Sequence, residues 1–160
     1  MLTVVVIIGV MAAIAAPRIS FAMEEHRASV AAVRIAAALD LARNQARNTS
    51  SSQTVLFSAA DNSYTLTGMA DMDHPAATQI VILSDPPYEI TMTAANFGGD
   101  ADIVFDGYGV PDSSGSVTIQ SGSSQRVISV EAETGRVTIS EQALPPVEDE
   151  PLDDPPIQQL

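Results

Sequence analysis

The hydrophobic pattern of this chain changes twice along its length. Residues 1–16, MLTVVVIIGVMAAIAA, carry no charged side chain, Thr3 is the only polar one, and Pro17 closes the run. A helix of about 16 residues spans roughly 24 Å, somewhat short of the ~20 residues that cross a hydrocarbon core. From Arg18 to about Arg47 the composition turns to Ala, Leu, Arg and Glu with no Gly and no further Pro, which favours continued helix. Pro17 is therefore expected to kink one long helix rather than end it. Ala28, Ala32, Ile35, Leu39, Ala42 and Ala46 follow a four-three spacing, which places them on one face for packing against a sheet.

After Arg47 the period shortens. Asn48-Thr-Ser-Ser-Ser prefers local side-chain hydrogen bonds in non-helical conformations and predicts the helix end. Thr54–Ser58 and Ser63–Thr67 flank Ala59-Ala-Asp-Asn and read as a hairpin. Gly68–Thr78 reads as a loop. Gln79–Leu83, with its uninterrupted Ile-Val-Ile-Leu, reads as a central strand buried on both faces, and Tyr88–Thr93 as its neighbour. Ala94–Ala101 reads as a loop and Asp102–Phe105 as a strand. Asp106–Gly115 is turn chemistry throughout. Val117–Ile119, Arg126–Val130 and Arg136–Ile139 complete a meander. Residues 141–160 hold five prolines and six acids with almost no apolar periodicity, and read as an extended acidic tail.

These elements predict an α+β protein with a long kinked N-terminal helix whose upper stripe packs on an antiparallel sheet or sandwich of seven or eight short strands. Residues 1–17 form its apolar half, 18–48 the amphipathic half, 49–140 the β domain and 141–160 the tail. About 90 residues remain for the β core, enough to fold with a helix packed on it.

Two segments together carry a family resemblance. Val4-Val5-Val6-Ile7-Ile8-Gly9, running on through Ile14 to Pro17, and then a charged amphipathic helix and a Gly/Ser/Thr-rich β region, resemble the type IV pilin and pseudopilin superfamily. Leu39–Asn48 (LDLARNQARN), the strand at Thr54–Phe57, FDGYGVPDSSGSVTI and TGRVTIS resemble its H-type minor pseudopilins of type II secretion and related minor pilins. The resemblance implies a non-enzymatic subunit of a periplasmic or surface filament. Val4, Val5, Val6, Ile7, Ile8, Gly9, Ile14 and Pro17 would anchor it in the bacterial inner membrane and later pack in the filament core. Its implied partners are other pilin or pseudopilin subunits, inner-membrane assembly proteins and an exported protein substrate. Members begin with a short basic leader ending in Gly and then a glutamate before the apolar run; this sequence lacks both, so its start is expected to lie upstream of Met1.

Charge narrows the partners. Residues 1–47 carry five arginines against three acids, whereas residues 48–160 carry two arginines against seventeen acids, so the net charge of −13 belongs to the second part. Such a field repels phosphate backbones, and nucleic-acid binding by that part is not expected. The chain contains no cysteine, hence no thiol chemistry.

Chemistry finds little to work with. His26 has no second histidine within helical reach, and Asp71, Asp73 and His74 lack the ligand count of a calcium loop and the spacing of a zinc site, so no metal is expected. Gly107 and Gly109 precede no helix and no lysine, which argues against a phosphate cradle and leaves no cofactor. No nucleophile motif is present. Glu24, Glu25, His26 and Arg27 are expected to be solvated or to pair between subunits; Arg34, Asp40, Arg43 and Arg47 fall mostly away from the stripe, with Asp40 to Arg43 and Arg43 to Arg47 as one-turn neighbours in ordinary helix chemistry. The alternatives are a cleaved secretory signal in place of the anchor, and a singly anchored periplasmic β-domain that binds a ligand and never polymerises.

Overall fold

A computed structural model describes the backbone of residues 2–70 and 78–142 and the side chains of residues 21–69 and 78–142. Helix α1 (Leu2–Thr49) runs without interruption through Pro17. It ends where Ser50 takes the left-handed conformation (φ 51°) and Ser51 N donates back to the Ala46 carbonyl, a C-terminal cap that satisfies an otherwise orphaned acceptor. Ala28, Ala32, Ile35, Leu39, Ala42 and Ala46 are all buried, and Ala31 and Ala38 widen the stripe beyond the four-three spacing. Six of these eight are alanines, which cost little conformational entropy and let backbone approach backbone.

Eight antiparallel strands follow among the described residues. One sheet holds β1 (Gln53–Ser58), β2 (Ser63–Ala70), β3 (Thr78–Ile82) and β5 (Asp102–Phe105) in the order β3-β2-β1-β5. The other holds β4 (Thr91–Phe97), β6 (Gly115–Ser121), β7 (Ser124–Val130) and β8 (Val137–Gln142) in the order β4-β6-β7-β8. The β1–β2 hairpin pairs Ser58 with Ser63 across Ala59-Ala-Asp-Asn, and the Asp61 carboxylate accepts from Ser58 Oγ at 2.7 Å. Helix α1 packs against β1, β5, β6, β7 and β8, so it touches both sheets. Alternation delivers Val55 and Phe57 from β1, Ile103 and Phe105 from β5, Val117 and Ile119 from β6 and Ile128 and Val130 from β7 to one shared core. Phe57 stacks on Phe97 at 5.6 Å between centroids and joins the two sheets directly.

Five expectations need correction. Ile80 and Ile82 sit on β3, the outermost strand of its sheet, with side chains 56% and 47% exposed, so this run is half wet rather than buried on both faces. Tyr88–Thr93 does not pair beside it: apart from one bond from Ile90 N to the Leu83 carbonyl, the next strand begins at Thr91 and pairs with β6 in the other sheet. Ala94–Phe97 belong to that strand, leaving only Gly98–Ala101 as loop. Gly68–Ala70 extend β2, Thr78 begins β3, and Glu141 and Gln142 complete β8 opposite Arg126 and Gln125, so the expected loop and tail each start too early. Asp71, Asp73 and His74, and residues 143–160, lie outside the described residues.

Candidate functional site

The functional surface follows from how α1 is held. Near its lower described end, Ser123 donates from its backbone N (3.1 Å) and Oγ (3.3 Å) to Glu24 Oε2, at the tip of the β6–β7 hairpin. Arg126 on β7 faces Glu25 at 3.6 Å and Glu141 on β8 at 3.1 Å while only 8% exposed, so two carboxylates accompany its burial. Arg27 pairs with Glu89 on the other flank. Three of the four charges expected to be solvated or to bridge subunits thus bind the helix to its own β domain, whereas His26 is exposed.

Arg43 makes a second fastening near the helix end. Its Nε donates to the Gly109 carbonyl at 3.2 Å and its Nη2 to the Thr134 carbonyl at 2.7 Å, joining the turn after β5 to the turn between β7 and β8. Gly109 and Gly135 both adopt positive φ (77° and 61°); a Cβ on Gly109 would collide with the Arg47 side chain and crowd Arg43, and one on Gly135 would press on Arg43 Nε and the Gly109 carbonyl. Helical periodicity places Arg43 off the buried stripe; the paired glycines in FDGYG and ETGR are the only trace of its partners in the sequence. The Asp106 carboxylate folds the first of these turns by accepting from Tyr108 N and Val110 N. Gly107 and Gly109 therefore serve a backbone turn and close packing against the helix end.

With its inner face committed, α1 still presents an apolar outer face. Val30, Val33, Ala37 and Leu41 recur at three- and four-residue spacing, with Met23 two turns before Val30, and all five are exposed, Val33 at 58% and Leu41 at 49%. At 100° per residue they sit opposite the Ala28–Ala46 stripe. Phe21, two turns before Ala28 on the sheet-facing side, is also exposed because it precedes the buried stretch. The described part of α1 is thus apolar on two opposite faces, of which the β domain fills one. This second stripe is legible as a period in the sequence, and only the charged residues between its members hide it.

Val4, Val5, Val6, Ile7, Ile8, Gly9, Ile14 and Pro17 lie outside the described side chains. Among the described residues no helix is long and apolar enough to cross a membrane, and no cluster of three or more His, Cys, Asp or Glu side chains could hold a metal ion.

Comparison with known proteins agrees with this architecture. The family model described as Type II transport protein GspH matches residues 31–135, from the middle of α1 to the turn before β8 and well over half of the chain. No curated protein and no solved structure matches. A long helix fastened to two antiparallel sheets, with that match running across helix and sheets alike, makes the chain a member of the GspH family of type II secretion minor pseudopilins.

Proposed function

We propose that this chain is a structural subunit that assembles through α1 into the pseudopilus of a type II secretion system, and that it is not an enzyme. The observation that carries this reading is the outer stripe Met23, Val30, Val33, Ala37 and Leu41, left exposed on a helix whose opposite face is already filled by its own β domain. Before assembly, Val4, Val5, Val6, Ile7, Ile8, Gly9, Ile14 and Pro17 would lie in the inner membrane, with the β domain in the periplasm. On assembly those side chains would pass from lipid to the helices of neighbouring subunits, exchanging one apolar environment for another at little hydrophobic cost. The outer stripe would continue the same contact surface above the membrane, and Ala28, Ala32, Ile35, Leu39, Ala42 and Ala46 would keep the head fixed to the helix during the transfer. Heterologous contacts along one helix generate an open-ended polymer. The neighbours are other pseudopilins and inner-membrane assembly proteins, and an exported protein is the cargo; the strongly acidic β domain disfavours nucleic acid as a partner.

Charge on the outer stripe tests this reading. In cells lacking the native copy, Val33→Asp or Leu41→Asp is expected to leave the protein folded and abundant while secretion falls at least about tenfold, because an unpaired carboxylate at a helix interface costs a few kcal/mol. Undiminished secretion by both variants would remove the outer face from the assembly surface.

A further inference from the structure

A groove of about 230 Å³ runs between α1 and the β2–β3 edge, lined by Arg34, Ala37, Ala38, Leu41, Leu66 and Gln79, with Tyr64 at its floor. Its polar groups keep capacity to spare: the Arg34 guanidinium lies beside the Tyr64 hydroxyl, and that O–H has no acceptor among the described residues. The Tyr64 side chain is 1% exposed. Burial pushes that hydroxyl up to about 12, over the opposing pull of the Arg34 guanidinium beside it, so at neutral pH it is a donor awaiting an acceptor. Arg34 is exposed and forms no ion pair among the described residues. One permanent cation, one buried phenolic donor and walls of Ala, Leu and methylene groups suit a carboxylate carried on an apolar extended segment.

The chain itself supplies such a segment. Residues 143–160, ALPPVEDEPLDDPPIQQL, intersperse Leu144, Val147, Leu152 and Ile157 with Glu148, Asp149, Glu150, Asp153 and Asp154. They follow Gln142, whose strand packs on α1, and 18 residues reach at most about 60 Å, ample to pass the roughly 10 Å width of one helix. The rest of residues 48–160 is itself strongly acidic and repels them. The upper half of α1, by contrast, carries Arg34, Arg43 and Arg47 against Asp40 alone, and Arg43 is already engaged with two carbonyls.

We infer that residues 143–160 dock in cis in the groove between α1 and the β2–β3 edge, with a tail carboxylate accepting from Arg34 and the Tyr64 hydroxyl. Docking there covers Ala37 and Leu41, two members of the outer stripe, so the tail holds back the helix face that neighbouring subunits need. That consequence rests on the assembly reading above; the docking itself does not.

Capture from the groove tests it in the full chain, produced in membranes without any other pseudopilin. A photoreactive benzophenone amino acid placed at position 79 is expected to cross-link within one chain to a peptide from residues 143–160. Arg34→Glu should lower the yield about fivefold or more, Tyr64→Phe should lower it less, and 1 M salt should lower it in the native sequence. Changing Glu148, Asp149, Glu150, Asp153 and Asp154 to their amides, which leaves the head unaltered, should lower it as Arg34→Glu does. Adducts that miss residues 143–160, adducts joining two chains, or a yield indifferent to both sets of charge changes would overturn the docking. With no assembly partner present, any of these failures leaves the filament reading untouched.

Discussion

Arg43 Nη2 donates to the Thr134 carbonyl across 2.7 Å, so one helical side chain fixes the turn between the last two strands 91 residues away in sequence. The same guanidinium holds Gly109 through Nε. Hydrogen bonds from a charged donor are worth about 1.5–3 kcal/mol when buried and less when wet, so Arg43→Ala is expected to cost about 1–3 kcal/mol in urea unfolding. Arg43→Lys, whose single nitrogen cannot reproduce the separated Nε and Nη2 donors, should recover less than half of that. A loss under about 0.5 kcal/mol would mean that the fastening contributes nothing.

Gly115 opens β6 opposite Phe97, and a Cβ there would collide with the Asn96 carbonyl and lie 2.6 Å from Phe97 Cα. Backbone cannot step aside as a side-chain tip can. Gly115→Ala is therefore expected to destabilise by about 2–4 kcal/mol, whereas Gly99→Ala, with open space around it but φ at +116°, should cost only its backbone strain, about 1 kcal/mol. Equal losses from the two would refute the close packing at Gly115.

Tyr64 makes stability fall at high pH. Its hydroxyl stays protonated in the folded chain up to about 12, above the ordinary value near 10, so the folded state holds a proton that the unfolded state has released. The contribution is present in full below pH ~10 and drains away as pH rises through about 12, by an order of 2 kcal/mol. Unfolding free energies of the native sequence and Tyr64→Phe should run parallel to pH ~10 and converge on, or cross toward, the variant above it. Parallel curves through pH 12 would show that the hydroxyl is not held neutral by burial.

The β3 edge predicts a different kind of effect. No charge falls between Pro75 and Ser84, and Ile80 and Ile82 are exposed on an outermost strand, a combination that invites pairing between chains. Ile80→Lys and Ile82→Lys should alter stability by no more than about 0.5 kcal/mol while reducing self-association of concentrated protein. Sedimentation velocity reads the difference directly.

Much of this fold is legible in the residues. The alanine spacing from Ala28 to Ala46 locates the buried helix face, Asn48–Ser52 locates the helix end, and the polar clusters at residues 59–62, 106–115 and 122–123 locate the turns. What cannot be read is which strand lies next to which. Ile80-Val-Ile-Leu has the composition of a central strand, yet its exposure is decided by β2 lying on one side of it only, a fact set by partners distant in sequence. Thr91–Phe97 shows the same limit: its Gly98-Gly99 end suggests a loop, and pairing with β6 makes it a strand. The outer stripe of α1 was open to the same period count as the inner one, but Arg34 and Asp40 between its members make it resemble an ordinary wet face. Arg43 lies beyond any local signal, because nothing in a helix announces which turns will fold against it.

We propose that α1 is gripped from two sides, by its own head on one and by sister helices on the other. A photoreactive side chain at position 33, in cells carrying the complete secretion machinery, measures this most directly. Cross-links to the N-terminal helices of other pseudopilins, lost when those subunits are deleted, are expected. Cross-links confined to the chain's own β domain, or to lipid, would contradict it.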